Sequence, residues 1–151
     1  MFKISSIMKI FYFIIIMSLC PLALVGQEIN LLPEPWKVEK KEGVFTLSVS
    51  TGIQYPFEMK ECVEIFNKYL SERYGFSLKR GSGRNGIRLI VDKKMESETY
   101  NLLVETNGVV IRGSESGVFY GLQTLQQLIS DDTENKLLIP AVKIEDRPRF
   151  R

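Results

Sequence analysis

Residues 116 to 129 read SGVFYGLQTLQQLI, and this stretch decides the fold of the chain. Its apolar side chains recur at the spacing of one helical face. They are Val118, Leu122, Leu125 and Ile129, with Phe119 and Leu128 beside them. Ser116 is predicted to cap the first turn, because its hydroxyl can accept from an unpaired backbone N–H. Gly117 and Gly121 each cost about 1 kcal/mol relative to alanine inside a helix. We therefore predict a core helix without catalytic residues, approached closely at Gly121 by the backbone of a sheet.

The first 26 residues have the pattern of a secretory signal peptide. Two lysines accompany an uncharged apolar run over residues 10–20, which is shorter than the roughly 20 residues that span a bilayer. Gly26-Gln27 is a suitable cleavage site, so we expect an exported protein, in the periplasm or outside the cell. The alternative is a lipoprotein anchored at Cys20, but Leu19 before it is bulkier than the small residue that such a site prefers.

Composition excludes several classes of function. Cleavage of the leader removes two of the 20 basic residues, which leaves 18 against 18 acidic ones and a net charge of zero. That balance argues against nucleic acid as a partner, since nucleic-acid-binding proteins carry a clustered basic surface. The chain has no histidine, which excludes Ser-His-Asp catalysis, Cys-His catalysis and His-ligated zinc. Only Cys62 remains after cleavage, and its place in an apolar helical pattern predicts a buried, inert thiol.

The first half of the mature chain predicts strands followed by a helix. Residues 29–36 are extended, because proline disfavours helix in the residue before it. The pattern then predicts a strand over Trp36–Glu39, a turn over Lys40–Gly43, a strand over Gly43–Val49 and a loop or edge strand over Thr51–Pro56. A helix follows over Phe57–Tyr74, with Gly75 as its C-terminal stop. Its carboxylates Glu61 and Glu64 could act as an acid–base pair, but a solvated helix face explains them better.

Two further motifs resemble ligand sites but lack the required context. Residues 81–86 match GxGxxG, the pattern of a dinucleotide-binding loop. That site needs a helix directly after the glycines, whereas Ile87–Val91 is β-branched and predicts a strand, so we interpret the glycines as a flexible loop between two strands. Asp131 and Asp132 lack the regularly spaced oxygen ligands of a calcium loop. We therefore expect neither a cofactor nor a metal.

The remaining elements complete the predicted fold. Strands over Tyr100–Glu105 and Val109–Arg112 flank Asn107-Gly108, which predicts a hairpin with a type I′ turn. A last strand covers Leu137–Ile144, with Pro140 at an edge or bulge. Together the elements predict an α+β fold, in which a single small mixed or antiparallel sheet carries two helices packed on one face.

Six short motifs occur in a defined order along residues 29–151. They are Leu31–Pro35, Gly43–Phe45, Glu98–Leu102, Gly117–Leu128, Ile139-Pro140 and Asp146–Phe150. Together they resemble the non-catalytic N-terminal domain of the β-N-acetylhexosaminidases of glycoside hydrolase family 20. The resemblance implies that this domain precedes a (β/α)8 barrel. In that family the barrel carries an adjacent Asp-Glu pair, of which the Glu is the general acid/base. The Asp orients the substrate's own 2-acetamido group, which is the nucleophile, so no metal is needed.

After the signal peptide (1–26), the resemblance implies an N-terminal domain (27–144) and a linker (145–151) into an absent barrel, which needs roughly 250 residues. Arg149 matches a structural arginine of the family, and the sugar-binding arginine would come two residues after Arg151. Glu145-Asp146 is an adjacent acidic pair in the wrong order for the catalytic one. We therefore assign no catalytic, cofactor-binding or metal-binding residue in this chain. The parent enzyme would remove terminal β-linked N-acetylglucosamine or N-acetylgalactosamine from glycans with retention.

Two alternatives stay open. One is an independent carbohydrate-binding module, in which exposed aromatic side chains such as Trp36, Tyr55 or Tyr74 would form a stacking platform. The other is the equivalent domain of another glycosidase family that cleaves N-acetylglucosaminides. In either case, and in the main interpretation, the chain by itself is not expected to hydrolyse a glycan.

Overall fold

The computed structural model describes residues 29–81, 85–131 and 136–149, so the predicted signal peptide and Cys20 lie outside the described residues. Within these ranges, eight strands form one mixed sheet and two α-helices pack on it, which confirms the α+β prediction. The strands are β1 (Lys37–Leu47), β2 (Gly52–Gln54), β3 (Lys79–Arg80), β4 (Ile87–Val91), β5 (Tyr100–Glu105), β6 (Gly108–Gly113), β7 (Ser130–Asp131) and β8 (Leu137–Asp146). The helices are α1 (Lys60–Tyr74), preceded by a 3₁₀ turn (Phe57–Met59), and α2 (Glu115–Leu128).

The sheet joins an antiparallel half to a parallel half. Its strand order is β1-β8-β5-β6-β4-β2-β3, with β7 beside β8. The pairs from β1 to β6 are antiparallel, and those from β6 to β3 are parallel. Helix α1 makes the crossover between the parallel strands β2 and β3, as parallel neighbours require. Strand β2 therefore lies between two neighbours, and the prediction of an edge position for Thr51–Pro56 is wrong.

The core lies between the helices and one face of the sheet. Successive side chains of a strand point to opposite faces, so Tyr100, Leu102 and Val104 of β5 share the buried face. The helices cover them with Val63, Phe66 and Leu70 of α1 and Val118, Leu122 and Leu125 of α2. The apolar stripe predicted for the second helix is thus the centre of the core. Neither of these two helices is long and apolar enough to cross a bilayer.

Strand β1 is continuous where a turn was expected over Lys40–Gly43. Lys40 is opposite Val142 and Val44 is opposite Pro140, so β1 holds two more residues than its partner between these pairs. The predicted separation into two strands is wrong, because both halves pair with the same distant strand, β8. The turn-like residues form an irregularity in the ladder instead. Pro140, which was expected at an edge or bulge, lies opposite Val44 where this irregularity ends.

The hairpin of β5 and β6 is confirmed, but its turn is not the predicted one. Glu105 is opposite Gly108, which leaves Thr106 and Asn107 as the turn residues. Neither Asn107 nor Gly108, both described by the structure, has the positive φ of a type I′ turn. Gly108 is instead a strand residue whose Cβ would lie 3.2 Å from the carbonyl oxygen of Gly86. Its glycine allows two neighbouring strands to approach.

The predicted end of α1 is confirmed, whereas the predicted cap of α2 is wrong. Gly75 has φ +78 and closes α1 with an N–H that donates to the carbonyl of Ser71, as predicted. The cap of α2 is Ser114 rather than Ser116, because the helix begins at Glu115, before the expected position. The Ser114 hydroxyl accepts from the N–H of Gly117 at 3.1 Å.

Both glycines of α2 allow a close approach to the sheet. A Cβ at Gly117 would overlap the carbonyl oxygen of Thr99, so the backbone approach occurs here. A Cβ at Gly121 would lie 2.5 Å from Cγ2 of Ile111 and 3.2 Å from the ring of Tyr100. The prediction that a sheet backbone approaches Gly121 is therefore wrong, because the atoms close to Gly121 belong to side chains of the sheet.

Candidate functional site

A groove of about 450 Å³ opens where the beginning and the end of the described chain meet helix α2. Three segments form its walls: the extended N-terminal residues, the outward side of α2 and the residues at the end of β8. Its lining residues are Leu32, Pro33, Glu34, Glu98, Tyr100, Tyr120, Gln123, Thr124, Gln127, Asp146, Arg147, Pro148 and Arg149. With Glu98 and Tyr100 beside these walls, the groove joins four motifs that are far apart in the sequence.

Gln127 of α2 binds the N-terminal segment at Leu32. The backbone N–H of Leu32 donates to Oε1 of Gln127 at 3.0 Å, and Nε2 of Gln127 donates to the carbonyl of Leu32 at 3.0 Å. One amide side chain thus satisfies both backbone groups of a residue that lies in no strand. This contact holds the N-terminal segment along the helix.

The same segment also contacts the C-terminal residues. The backbone N–H of Trp36 donates to Oδ1 of Asp146 at 3.0 Å, and Arg149 donates to the carbonyl of Glu34 at 2.5 Å. The guanidinium of Arg147 stacks 3.8 Å from the centre of the Trp36 ring. The beginning and the end of the described chain are therefore held together beside the groove.

The floor of the groove is a buried hydrogen bond between sheet and helix. The hydroxyls of Tyr100 and Thr124 lie 2.6 Å apart. Burial raises the pKa of Tyr100 to about 12, and the nearby Asp146 carboxylate adds to this effect while the hydrogen bond to Thr124 opposes it. Tyr100 is therefore neutral at physiological pH and serves as a structural hydrogen-bonding group.

The segment before β5 contacts the first turn of α2. The N–H of Glu98 donates to the Ser116 hydroxyl at 3.0 Å, and the N–H of Ser114 donates to the carbonyl of Thr99 at 3.1 Å. The missing Cβ of Gly117 leaves room for that carbonyl. The two motifs that contain Glu98 and Gly117 thus form one structural unit.

The acidic pair Glu145-Asp146 is placed so that the two carboxylates cannot act together. Neighbouring residues of a strand point to opposite faces. Glu145 forms an ion pair with Lys143 at 2.7 Å on the outer face, and the hydrogen bond from Lys143 lowers the pKa of this carboxyl. Asp146 lies on the other side, where it accepts from Trp36. Both residues belong to β8, which is two residues longer than predicted.

The carboxylates of Glu61 and Glu64 and the thiol of Cys62 do not form a reactive site. Glu61 and Glu64 are exposed, and Glu64 lies 3.7 Å from Lys60, which confirms a solvated helix face. Cys62 is half-buried rather than buried, and burial followed by the charge of Glu115 raises the pKa of its thiol. A thiol with a raised pKa is a poor nucleophile.

The two ligand-like motifs are only partly described by the structure. The strand predicted after the glycines of residues 81–86 is confirmed as β4, although residues 82–84 lie outside the described ones. Asp131 is exposed at the end of β7, whereas Asp132 also lies outside the described residues. Across residues 29–81, 85–131 and 136–149, no three His, Cys, Asp or Glu side chains are grouped so that they could hold a metal ion.

Arginine side chains contact the three aromatic residues that were considered as a sugar platform. Arg147 lies over Trp36, Arg80 lies 4.6 Å from the centre of the Tyr55 ring, and Arg73 lies 5.6 Å from that of Tyr74. Tyr74 also packs edge-on against Tyr69. A sugar could stack on a ring face covered in this way only by displacing the guanidinium.

Sequence reasoning did not single out the outward residues of α2 that line the groove. Tyr120, Gln123 and Gln127 follow the i, i+3 and i+7 spacing of one helical side. The available signal was the absence of charge, since no charged residue occurs from Ser116 to Ser130. An outward helical side normally carries charged residues.

Comparisons with known proteins give a consistent result. The family described as glycosyl hydrolase family 20, domain 2, matches residues 28–147. A β-hexosaminidase of Porphyromonas gingivalis is 30% identical, in an alignment that covers 81% of this chain and 18% of the relative.

Solved structures agree with that match. An exo-β-N-acetylglucosaminidase of family 20 from Vibrio harveyi, solved with N-acetylglucosamine, aligns with a TM-score of 0.72 and 26% identity over 80% of this chain and 19% of that one. A chitobiase from Flavobacterium johnsoniae aligns with a TM-score of 0.65 and 28% identity, over 81% of this chain and 21% of that one. This chain therefore spans about a fifth of the length of the relatives that it matches.

Proposed function

Because the chain belongs to the domain family glycosyl hydrolase family 20, domain 2, we propose that it is the non-catalytic N-terminal domain of an exported exo-β-N-acetylhexosaminidase. The parent enzyme would hydrolyse terminal β-linked N-acetylglucosamine or N-acetylgalactosamine from glycans by substrate-assisted retention. Its catalytic groups would lie in a (β/α)8 barrel outside the described residues. The role of the present domain is to pack on that barrel and complete its fold.

The family match to residues 28–147 is the observation that carries this proposal. Its support within the structure is that four of the six resembling motifs meet at one groove, beside the end of β8, where a following domain would begin. The groove contains carboxylates, amides, arginines and two tyrosines, but the chain has no histidine to activate a nucleophile. This chemistry suits a contact between protein surfaces.

Hydrolysis of a chromogenic N-acetyl-β-glucosaminide by the purified chain tests the non-catalytic role. No turnover is expected, because both members of the acidic pair Glu145-Asp146 are engaged on opposite faces of β8. Turnover that persists after repurification and is lost in an Asp146→Asn variant would contradict the proposal. A Glu61→Gln variant, altered on the exposed face of α1, is the matched control for loss of a carboxylate.

The proposed boundaries are a signal peptide over residues 1–26, the domain over 27–144 and a linker over 145–151, of which Glu145 and Asp146 complete strand β8. Mass spectrometry of protein expressed with its leader in a bacterial host tests the first of them. A mature N-terminus at Gln27 in the exported fraction is expected from the composition of the leader. A lipid-modified N-terminus at Cys20 would support the lipoprotein alternative instead.

An independent sugar-binding module is the competing function, and calorimetric titration with N-acetylglucosamine distinguishes it. We expect no binding, because Trp36, Tyr55 and Tyr74 each pack against an arginine. Binding that is lost in Trp36→Ala would favour the module. The equivalent domain of another glycosidase family is distinguished by the residues after Arg151 in a longer gene, where Tyr or Trp followed by Arg-Gly would support family 20.

A further inference from the structure

The parallel half of the sheet contains a point where neighbouring strands lead in opposite directions. The chain leaves the carboxyl end of β2 through α1 for β3 on one side, and it leaves the carboxyl end of β4 for β5 on the other side. Strands β2 and β4 are parallel neighbours, with Gln54 opposite Arg88. Ligands of open α/β sheets bind in the crevice outside the carboxyl ends of the strands at such a point. These ends of β2 and β4 are therefore where the topology favours a ligand site.

A crevice of about 520 Å³ lies at this point. Its lining includes Tyr55 and Glu58, which follow β2, Arg80 of β3 and Arg88 of β4. The volume is within the range of pockets that hold small molecules. The crevice shares none of its described lining residues with the groove beside α2, so it belongs to a different part of the surface.

Arg80 is held in a fixed orientation at this crevice. Its Nη2 donates to the carbonyl of Tyr55 at 3.0 Å, and its guanidinium carbon lies 4.6 Å from the centre of the Tyr55 ring. Tyr55 itself packs against the hydrophobic core, so the ring is a firm support. A guanidinium has more N–H donors than this contact uses, and its planar fork matches an oxyanion. Arg80 is therefore oriented before a ligand arrives.

Arg88 adds a second guanidinium to the crevice. Its side chain is exposed, and within the described residues the structure records no hydrogen bond or ion pair for it. Arg112 of the adjacent strand β6 is by contrast paired with Asp92 at 2.6 Å. Among the described lining residues, the two arginines face a single carboxylate, that of Glu58. Positive charge therefore exceeds negative charge in the crevice.

We propose that this crevice binds a small hydroxylated oxyanion, meaning a sugar-sized molecule that carries one carboxylate, sulfate or phosphate group. Arg80 and Arg88 bind the anionic group, and Glu58 accepts a hydrogen bond from a hydroxyl beside it. A neutral sugar leaves the charge of both arginines unmatched, and a second anionic group on the ligand is repelled by Glu58. The site is built from residues of this domain and does not rest on the proposed function.

Titration of the isotope-labelled chain, followed by the chemical shifts of its backbone amides, tests the site. N-acetylglucosamine 6-phosphate and glucuronate are the acidic probes and distinguish a phosphate from a carboxylate. N-acetylglucosamine is the uncharged counterpart, and inorganic phosphate is the bare anion. We expect at least one acidic sugar to shift the amides of Tyr55, Gly81 and Ile90, which line the crevice, and N-acetylglucosamine to shift none of them.

Two pairs of variants identify the groups that bind the anion. Arg88→Gln should weaken the binding about tenfold or more, whereas Arg112→Gln, which removes an arginine outside the crevice, should change it less than about twofold. Arg80→Gln should also weaken it about tenfold, and Arg73→Gln is its matched control because Arg73 lies over Tyr74 as Arg80 lies over Tyr55. Added sodium chloride should weaken binding to the native chain, a measurement that needs no variant.

Three results would overturn the proposal. The first is the absence of amide shifts at the crevice with millimolar concentrations of either acidic sugar. The second is an affinity that is the same in Arg88→Gln as in Arg112→Gln, or that does not respond to salt in the native chain. The third is equal affinity for inorganic phosphate and the acidic sugars, because the hydroxyls assigned to Glu58 would then contribute nothing.

Discussion

Replacement of Gly117 by alanine tests whether the close contact between α2 and the sheet is as tight as the structure indicates. Alanine gains about 1 kcal/mol over glycine inside a helix, so propensity alone predicts a more stable protein. The new methyl group, however, would lie 2.6 Å from the carbonyl carbon of Thr99 and would overlap its oxygen. Carbon atoms in contact prefer about 3.5–4.0 Å, so the helix must move by about 1 Å away from the strand.

That movement would act on the contact between α2 and the start of β5. It would lengthen the hydrogen bond from the N–H of Ser114 to the carbonyl of Thr99 and separate Val118 from the sheet. Overpacking of this kind costs about 1–3 kcal/mol, and the upper part of the range applies because the neighbouring atoms belong to the backbone. After subtraction of the gain in propensity, we expect a net loss of about 1–2 kcal/mol in the free energy of unfolding.

Urea unfolding followed by circular dichroism measures this loss as a lower midpoint at an unchanged m-value. Gln123→Ala is the matched control, because it raises helix propensity on the outward side of the same helix without meeting the sheet. Gly121→Ala should also destabilise, since its methyl group would lie 2.5 Å from the branched side chain of Ile111. A Gly117→Ala protein at least as stable as the Gln123→Ala control would refute the reasoning.

Three further predictions concern the groove. Tyr100→Phe should lower the free energy of unfolding by about 1–3 kcal/mol, because it leaves the buried hydroxyl of Thr124 without its partner; a loss below about 0.5 kcal/mol in urea unfolding would contradict this. The pKa of Tyr100 is raised from 10.0 to about 12 in the folded protein, so its contribution to the free energy of unfolding is complete below about pH 10 and is lost as the pH rises towards about 12. The free energy of unfolding should therefore fall between these pH values, and it should fall less steeply in Tyr100→Phe than in the native chain. Arg147→Ala should shift the fluorescence of Trp36, the single tryptophan, to longer wavelength by exposing its ring, whereas Arg73→Ala should leave the spectrum unchanged.

Local patterns in the sequence predicted the elements whose residues are close together along the chain. The stripe from Val118 to Leu125 identified the central helix, because a 3.6-residue period expresses one buried face. Gly75 identified the end of α1, since a left-handed residue there needs no neighbour from elsewhere in the fold. The hairpin of β5 and β6 was also recognisable, although its turn residues were displaced by one position.

Features that depend on distant partners were predicted incorrectly or not at all. The apparent turn at Lys40–Gly43 is part of one strand because both of its flanks pair with β8, about a hundred residues later. Ser114 caps α2 in place of Ser116 because the end of β6 determines where the helix begins. The resemblance to a known family marked the segments that form the groove, including the motif Gly117–Leu128, but it gave no role to Tyr120 or Gln123 within that motif; the structure places both in the lining of the groove together with Leu32.

The sequence by itself determined the α+β class, the central helix and the absence of histidine chemistry, because periodicity and composition are properties of the chain alone. The tertiary structure decided that the N-terminal segment, α2 and the end of β8 meet at one groove. It also placed Glu145 and Asp146 on opposite faces and covered the candidate aromatic rings with arginines. The groove follows from contacts between segments roughly a hundred residues apart, and the energy of such contacts depends on the register and faces of the whole sheet.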